Sequence, residues 1–263
     1  MTRATTLTDE EIIAVATQLA RADQFRDPVE ATAPAPTTLS DGYRVQAAGH
    51  GLHADDLIAW KAGCTNEAVQ QMLEIDAPVL GRYRKDHVLS TPAALRFDAF
   101  ATAPHLEVEV GLRLLRDIDE VPNDPLDLAD AVEAFAAIEV VAGRLSAFPL
   151  VPVAQLVADN VASGRMIVGP TLDLTPDELR SLDAVPVALV AGGESGAVAS
   201  GAEAMGHPLR VLAAVGAFAI DAHHPLRAGE LVITGTCTGL VAAERGIDHV
   251  GRVGDAEVRV RFD

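Results

Sequence analysis

Two observations predict an α+β fold. Capped, amphipathic helical patterns concentrate before about residue 90, and from Leu95 onward the chain turns into short β-branched runs separated by Gly, Pro and Asp. The composition adds that 49% of the 263 residues are hydrophobic, enough apolar material for one substantial core. The expected division is a smaller N-terminal region, 1–90, and a β-rich domain, 91–263, carrying a mixed sheet.

Taken in order, Thr8-Asp-Glu-Glu11 ahead of Ile12–Ala20 reads as a helix with Thr8 as N-cap and Glu11 reaching back to it. Asp27-Pro28 and the Ala-Pro stretch 33–36 interrupt it as a linker. A second helix starts near Ser40-Asp41 and carries Tyr43, Val45 and Gln46. Ile58–Cys64 reads as a strand, Asn66–Leu73 as a helix and Asp76–Gly81 as a turn. Beyond Leu95 the spacing predicts one helix over Asp127–Ala137, and a hairpin at Ala191–Gly196 flanked by Val187–Val190 and Ala197–Ser200. A helix over Met205–Ala222 opens at Gly206-His-Pro208, where Pro suits the first turn. Leu231–Thr234 and Val258–Phe262 are late strands.

Chemistry concentrates in three acids. Glu107 and Glu109 sit at i and i+2 of the strand-like His105–Val110, so their carboxylates share one face. Adjacent carboxylates repel and are costly to bury unless a cation or a proton lies between them. Glu139, embedded in the apolar run Ala137–Val141, is a third carboxylate and points to a hard divalent ion held by oxygens. The alternative is a solvated sheet face carrying Glu107 and Glu109.

The formal charge of −18, from 38 acidic against 20 basic residues, excludes a nucleic-acid partner, because phosphate neutralisation needs clustered Lys and Arg. No run of about 18 apolar residues predicts a membrane span. The N-terminus lacks the apolar core of a signal peptide. Two distant cysteines, Cys64 and Cys237, make no disulfide framework, and a reduced, cytoplasmic setting is expected.

Seven segments in a fixed order then carry a resemblance: Asp41–Gln46, the Lys61-x-Gly63-x-Thr65 motif, Asp76–Gly81, the E-x-E strand with the later Ile-Glu-Val-Val, Asp159-Asn160, Gly206–Leu209 and Ala228–Thr236. Together they resemble the 2-hydroxypenta-2,4-dienoate hydratase and 4-oxalocrotonate decarboxylase branch of the fumarylacetoacetate hydrolase-like superfamily, over nearly the whole chain. The resemblance implies a mixed β-roll core with a smaller helical N-terminal region, and a homo-oligomer. It also implies a Mg²⁺ or Mn²⁺ ion on Glu107, Glu109 and Glu139. By the same likeness Lys61 is the catalytic proton shuttle, its pKa lowered by a partly dry pocket; read without it, Lys61 is a strand-end lysine paired with a carboxylate. Gly63 and Thr65 would shape the lysine's loop, and Asn160 and Thr236 would contact substrate.

The implied substrate is a small 2-hydroxy-dienoate or 2-oxo-enoate acid, hydrated across its conjugated double bond. Decarboxylation of a vinylogous 2-oxo acid of the 4-oxalocrotonate type, and C–C hydrolysis of an acylpyruvate, share the same metal trio. The chain departs from the family pattern at Val79, where hydratases carry Asp. It departs again at Trp60, Val110 and Gly111, and at Ala142-Gly143 before the retained Arg144. Hydrolysis needs a His–acid pair, for which only His50 and His53 offer themselves. A non-enzymatic binding module is the remaining class.

Other motifs carry less. Neighbouring His223 and His224 diverge by about 100° on a helix and share no ion. His207, at a helix start, either bonds backbone or touches the pocket. Cys64 lacks a His–acid partner system, and Gly193–Gly196 lacks the strand-turn-helix setting of a serine nucleophile or a phosphate loop.

Overall fold

A computed structural model of the chain describes residues 6–51 and 56–263. Its elements run α1 (Asp9–Phe25), α2 (Leu39–His50), β1 (Leu57–Gly63), α3 (Glu67–Leu73), β2 (Val79–Arg84), β3 (Val88–Ser90), β4 (Ala93–Leu95), β5 (His105–Leu114) and β6 (Val132–Val141). They continue with α4 (Val153–Ala158), β7 (Ser163–Thr171), α5 (Pro176–Leu179), β8 (Pro186–Ala191), β9 (Glu194–Ser200), α6 (Pro208–Asp221), β10 (Leu231–Ile233), β11 (Val241–Ala242), β12 (Asp248–Val253) and β13 (Ala256–Phe262).

The larger sheet has the order β2-β1-β10-β5-β6-β7-β3, with β11 added beside β5, and the smaller has the order β4-β13-β12-β8-β9. Both are mixed: β1 and β10 run parallel, as do β3 and β7, and β4 and β13. The larger sheet therefore draws strands from both sides of residue 90.

Alternation along the central strands separates core from site. Leu106, Val108, Val110 and Leu112 of β5 and Ala134, Ala136, Ile138 and Val140 of β6 point one way. There they join Leu189 of β8 and Val258, Val260 and Phe262 of β13 in the main core. The opposite face carries Ala59, Tyr83, Phe135, Ala137 and Met166 as a second buried cluster, and every acidic residue singled out above. Helices α1 and α2 form a separate layer whose Val15, Leu19 and Val45 pack with Leu145.

Local chemistry explains the helix ends. Thr8 caps α1 with Glu11 closing a capping box, and Arg26 ends it in the left-handed conformation. Thr38 caps α2 and Asn66 caps α3. The imidazole of His207 accepts from the Leu209 N–H as N-cap of α6, with Pro208 in the first turn. The β8–β9 turn places Gly192 and Gly193 at positive φ, as the hairpin signal requires.

Two expectations need correction. The helix over Asp127–Ala137 is a 3₁₀ turn, Pro125–Ala131, followed at once by β6. The alanines of β6 favour helix intrinsically, but a strand buried on both faces in mid-sheet overrides that preference. The Asp76–Gly81 turn stops at Pro78, because residues 79–81 already pair with β1. Strands β7 and β12 and helix α4 were not anticipated. Among the described residues no helix is long and apolar enough to cross a membrane.

Candidate metal centre

The site is built on strands that sequence order keeps apart. β5 and β6 pair antiparallel without a break over ten positions, placing Glu107 directly opposite Glu139, and Glu109 follows on the same face. β10 links β5 to β1, and this brings Lys61 to the same face. One oxygen from each of the three carboxylates lies within 4.8 Å of the other two. Glu109 and Glu139 are fully buried, whereas Glu107 keeps an accessible edge, so the centre opens on the Glu107 side. This rules out the solvated sheet face.

The two fully buried carboxylates are each half satisfied. Glu139 Oε1 accepts from Lys61 Nζ at 2.5 Å and from the Tyr83 hydroxyl at 2.5 Å. Glu109 Oε2 accepts the Gly235 N–H at 2.6 Å. The other oxygens, Glu109 Oε1 and Glu139 Oε2, are buried without a hydrogen-bond partner, as is the Thr236 hydroxyl beside Glu107. Three carboxylates against one ammonium leave a deficit of two charges, which a single divalent cation would cancel. Orphaned oxygens, charge and an all-oxygen donor set all fit such an ion.

The titration behaviour has the same origin. Burial, reinforced by the charge of Glu139, pushes the Glu107 carboxyl up to about 7 against the pull of Lys61. Burial and then Glu139 and Glu107 hold Glu109 well above the ordinary carboxylate range. For Lys61 burial acts to lower the pKa, but Glu139 and Glu107 outweigh it and hold the ammonium above the usual lysine value. In the metal-free chain the pocket is thus dry but anionic, and the anionic charge prevails over burial at Lys61. Tyr83 is raised well above 10 by burial and the neighbouring Glu139.

The remaining residues divide. Gly63 ends β1 where a Cβ would sit 2.7 Å from Val161 Cγ1, so a close approach of the chain requires glycine there. Thr65 is buried against Gly235, the residue whose N–H holds Glu109, and so supports the centre from behind. Thr236 faces it. Asn160 does not: its side chain is spent on the backbone of Arg82 and lines a different cavity, of about 470 Å³, with His50, Arg84 and Arg144.

His50 lies in that second cavity and His53 lies outside the described residues. His223 and His224 are exposed, His207 is a backbone cap, and burial pushes the Cys64 thiol up to about 11. Sequence reasoning missed Tyr83 and Gly235. The signals were present, since Tyr83 is two positions from Gly81 on a strand and Gly235 sits inside the quoted Ala228–Thr236 segment.

A family model described as fumarylacetoacetate (FAA) hydrolase C-terminal matches residues 53–261. The chain is 30% identical to a 2-keto-4-pentenoate hydratase of Paraburkholderia phymatum, covering 97% of this chain and 98% of that relative. It is 26% identical to a 2-hydroxyhexa-2,4-dienoate hydratase of Comamonas testosteroni over 80% of both. Its fold matches 4-oxalocrotonate decarboxylase from Pseudomonas putida G7, solved with magnesium and adipate, at a TM-score of 0.87 and 24% identity over 98% and 99% of the two chains. This chain belongs to the fumarylacetoacetate hydrolase family.

Proposed function

We propose that this chain is a divalent-metal-dependent lyase that hydrates a small 2-hydroxy-dienoate or 2-oxo-enoate acid. The carrying observation is the buried trio Glu107, Glu109 and Glu139, with two orphaned oxygens and Lys61 in contact. The 2-keto-4-pentenoate hydratase likeness, at 30% identity over nearly the full length, supports the substrate class. When bound, Mg²⁺ or Mn²⁺ supplies the Lewis-acid charge that favours proton movement beside a 2-oxo group. The three glutamates hold the ion, and Thr236 offers a hydroxyl to the acid's oxygens. Lys61 carries a proton at Nζ between substrate and the Glu139–Tyr83 pair. The apolar wall of Val79, Val157 and Val161 excludes bulk water from that side.

Incubating the protein and Mg²⁺ with 2-hydroxypenta-2,4-dienoate tests this reading. Loss of the diene absorbance with one water taken up is the expected result, and an unchanged substrate would overturn it.

A second reading, decarboxylation of a vinylogous 2-oxo acid, is favoured by the same wall. Val79 is buried among valines and brings no acid to activate water. CO₂ release from 4-oxalocrotonate would decide for it. Acylpyruvate hydrolysis finds less support, because His50 lines the other cavity. A homo-oligomer is part of the proposal and accounts for large apolar side chains left exposed, Leu150 at 89% and Val198 at 75% among them. Light scattering on the purified chain tests it.

A further inference from the structure

We infer that Asn160 is a positioning residue for Lys61, acting through a strained left-handed turn; the inference rests on the lyase reading above. Asn160, Val161 and Ala162 follow one another at φ of 53°, 54° and 54°, none of them glycine. L-residues disfavour this conformation, a β-branched valine most of all, and it persists only where its surroundings over-determine it.

Those surroundings are specific. Asn160 Oδ1 accepts the Arg82 N–H at 2.9 Å, and Nδ2 donates to the Arg82 carbonyl at 2.8 Å, so one amide side chain fastens the turn to β2 at both polar groups of a single residue. The Ser163 hydroxyl donates to the Asn160 carbonyl at 2.6 Å. The turn also rests on Gly81, where a Cβ would come within 2.7 Å of that carbonyl. Its product is the direction of one group: the Val161 carbonyl accepts from Lys61 Nζ at 2.9 Å.

Nζ is therefore held between two acceptors, the Val161 carbonyl and Glu139 Oε1. If the turn relaxed, the carbonyl would swing away and the ammonium would be left to the carboxylates alone. It would then settle among the oxygens proposed to hold the ion. Asn160 keeps Lys61 to one side and leaves Glu139 Oε2 open.

The test compares wild type with Asn160→Ala and Asn160→Asp; the latter keeps size and an acceptor but loses the donor to Arg82. Steady-state kinetics, Mg²⁺ titration and crystal structures of the variants are read together. The expected result is kcat lowered about 10- to 100-fold, in the range for groups that orient an active-site residue, together with weakened Mg²⁺ affinity, because the released ammonium competes for the carboxylates, and KM changed less than about threefold. In the variant structures the Lys61–Val161 hydrogen bond is lost. A lowered melting temperature with unchanged kcat, or an intact Lys61–Val161 bond in both variants, would overturn the inference. Should the wild type turn over no 2-oxo acid, the lyase reading falls, and the structural arm alone still decides whether Asn160 places Lys61.

Discussion

Glu107 and Glu139 stand directly across from one another on adjacent strands, two carboxylates in register, and among the described residues Lys61 is the only cation that pairs with either, through Glu139. Like charges opposed on one sheet face are destabilising, so the pair is retained at a cost to the metal-free fold.

The first expected outcome is a gain of stability on losing a proposed ligand. Glu109 has a raised pKa in the folded chain, so folding costs more as pH rises above its ordinary value of 4.5, where the unfolded chain ionises and the folded chain does not. Glu109→Gln should stabilise the metal-free protein at pH 7, with the gain fading toward pH 4.5. Thermal melts in chelator across that range check it, together with loss of the stabilisation that added Mg²⁺ gives the wild type.

Metal affinity should rise with pH through neutrality. The Glu107 carboxyl titrates at about 7 in the metal-free site, so below that pH an incoming ion must displace a proton. Calorimetric titrations at pH 6 in two buffers of different ionisation enthalpy should show proton release from both Glu107 and Glu109, of which the Glu107 share declines by pH 8. A pH-independent affinity would count against Glu107 as a ligand.

Lys61→Met should separate proton transfer from metal binding. Activity is expected to fall by about 10²–10⁴-fold, the usual range for a general acid–base group. Metal affinity should hold or tighten, because the ammonium that occupies Glu139 Oε1 is gone. Parallel kinetics and calorimetry decide. Equal activity would leave Lys61 as a structural ion-pair partner.

Gly111→Ala tests the strand pair that carries the site. A Cβ at Gly111 would run into the ring of Phe135, the residue paired with it on β6, and that ring is fully buried. Overpacking of this kind costs about 1–3 kcal/mol. Denaturant unfolding measures the loss, and an unchanged midpoint would show that the ring has room to retreat.

Much of this was legible in the chain itself. Capping chemistry at Thr8–Glu11, the helix start marked by Pro208, and the glycine turn of the β8–β9 hairpin are local devices and read directly. The i, i+2 spacing of Glu107 and Glu109 needed only a strand to become a site. β6 was partly lost to helix because burial on both faces erases the alternation that marks a strand. Tyr83 and Gly235 were missed because they reach the glutamates through β1 and β10, the Gly235 contact spanning 126 positions. Asn160 was placed at the pocket by the family resemblance alone, and a side-chain amide gives no hint in sequence of which backbone it will bind.

The strict two-residue alternation of β5 has a further consequence. Leu106, Val108, Val110 and Leu112 fill the core on one side while Glu107 and Glu109 serve the centre on the other, so a slip of one position would send acids into the core and leucines into the pocket. Assembly of the acidic centre and correct strand registration are here the same event. Divergence within the family therefore has room for length changes at the Gly192-Gly193 turn, at the far end of the smaller sheet, but none for an inserted or deleted residue between His105 and Leu114.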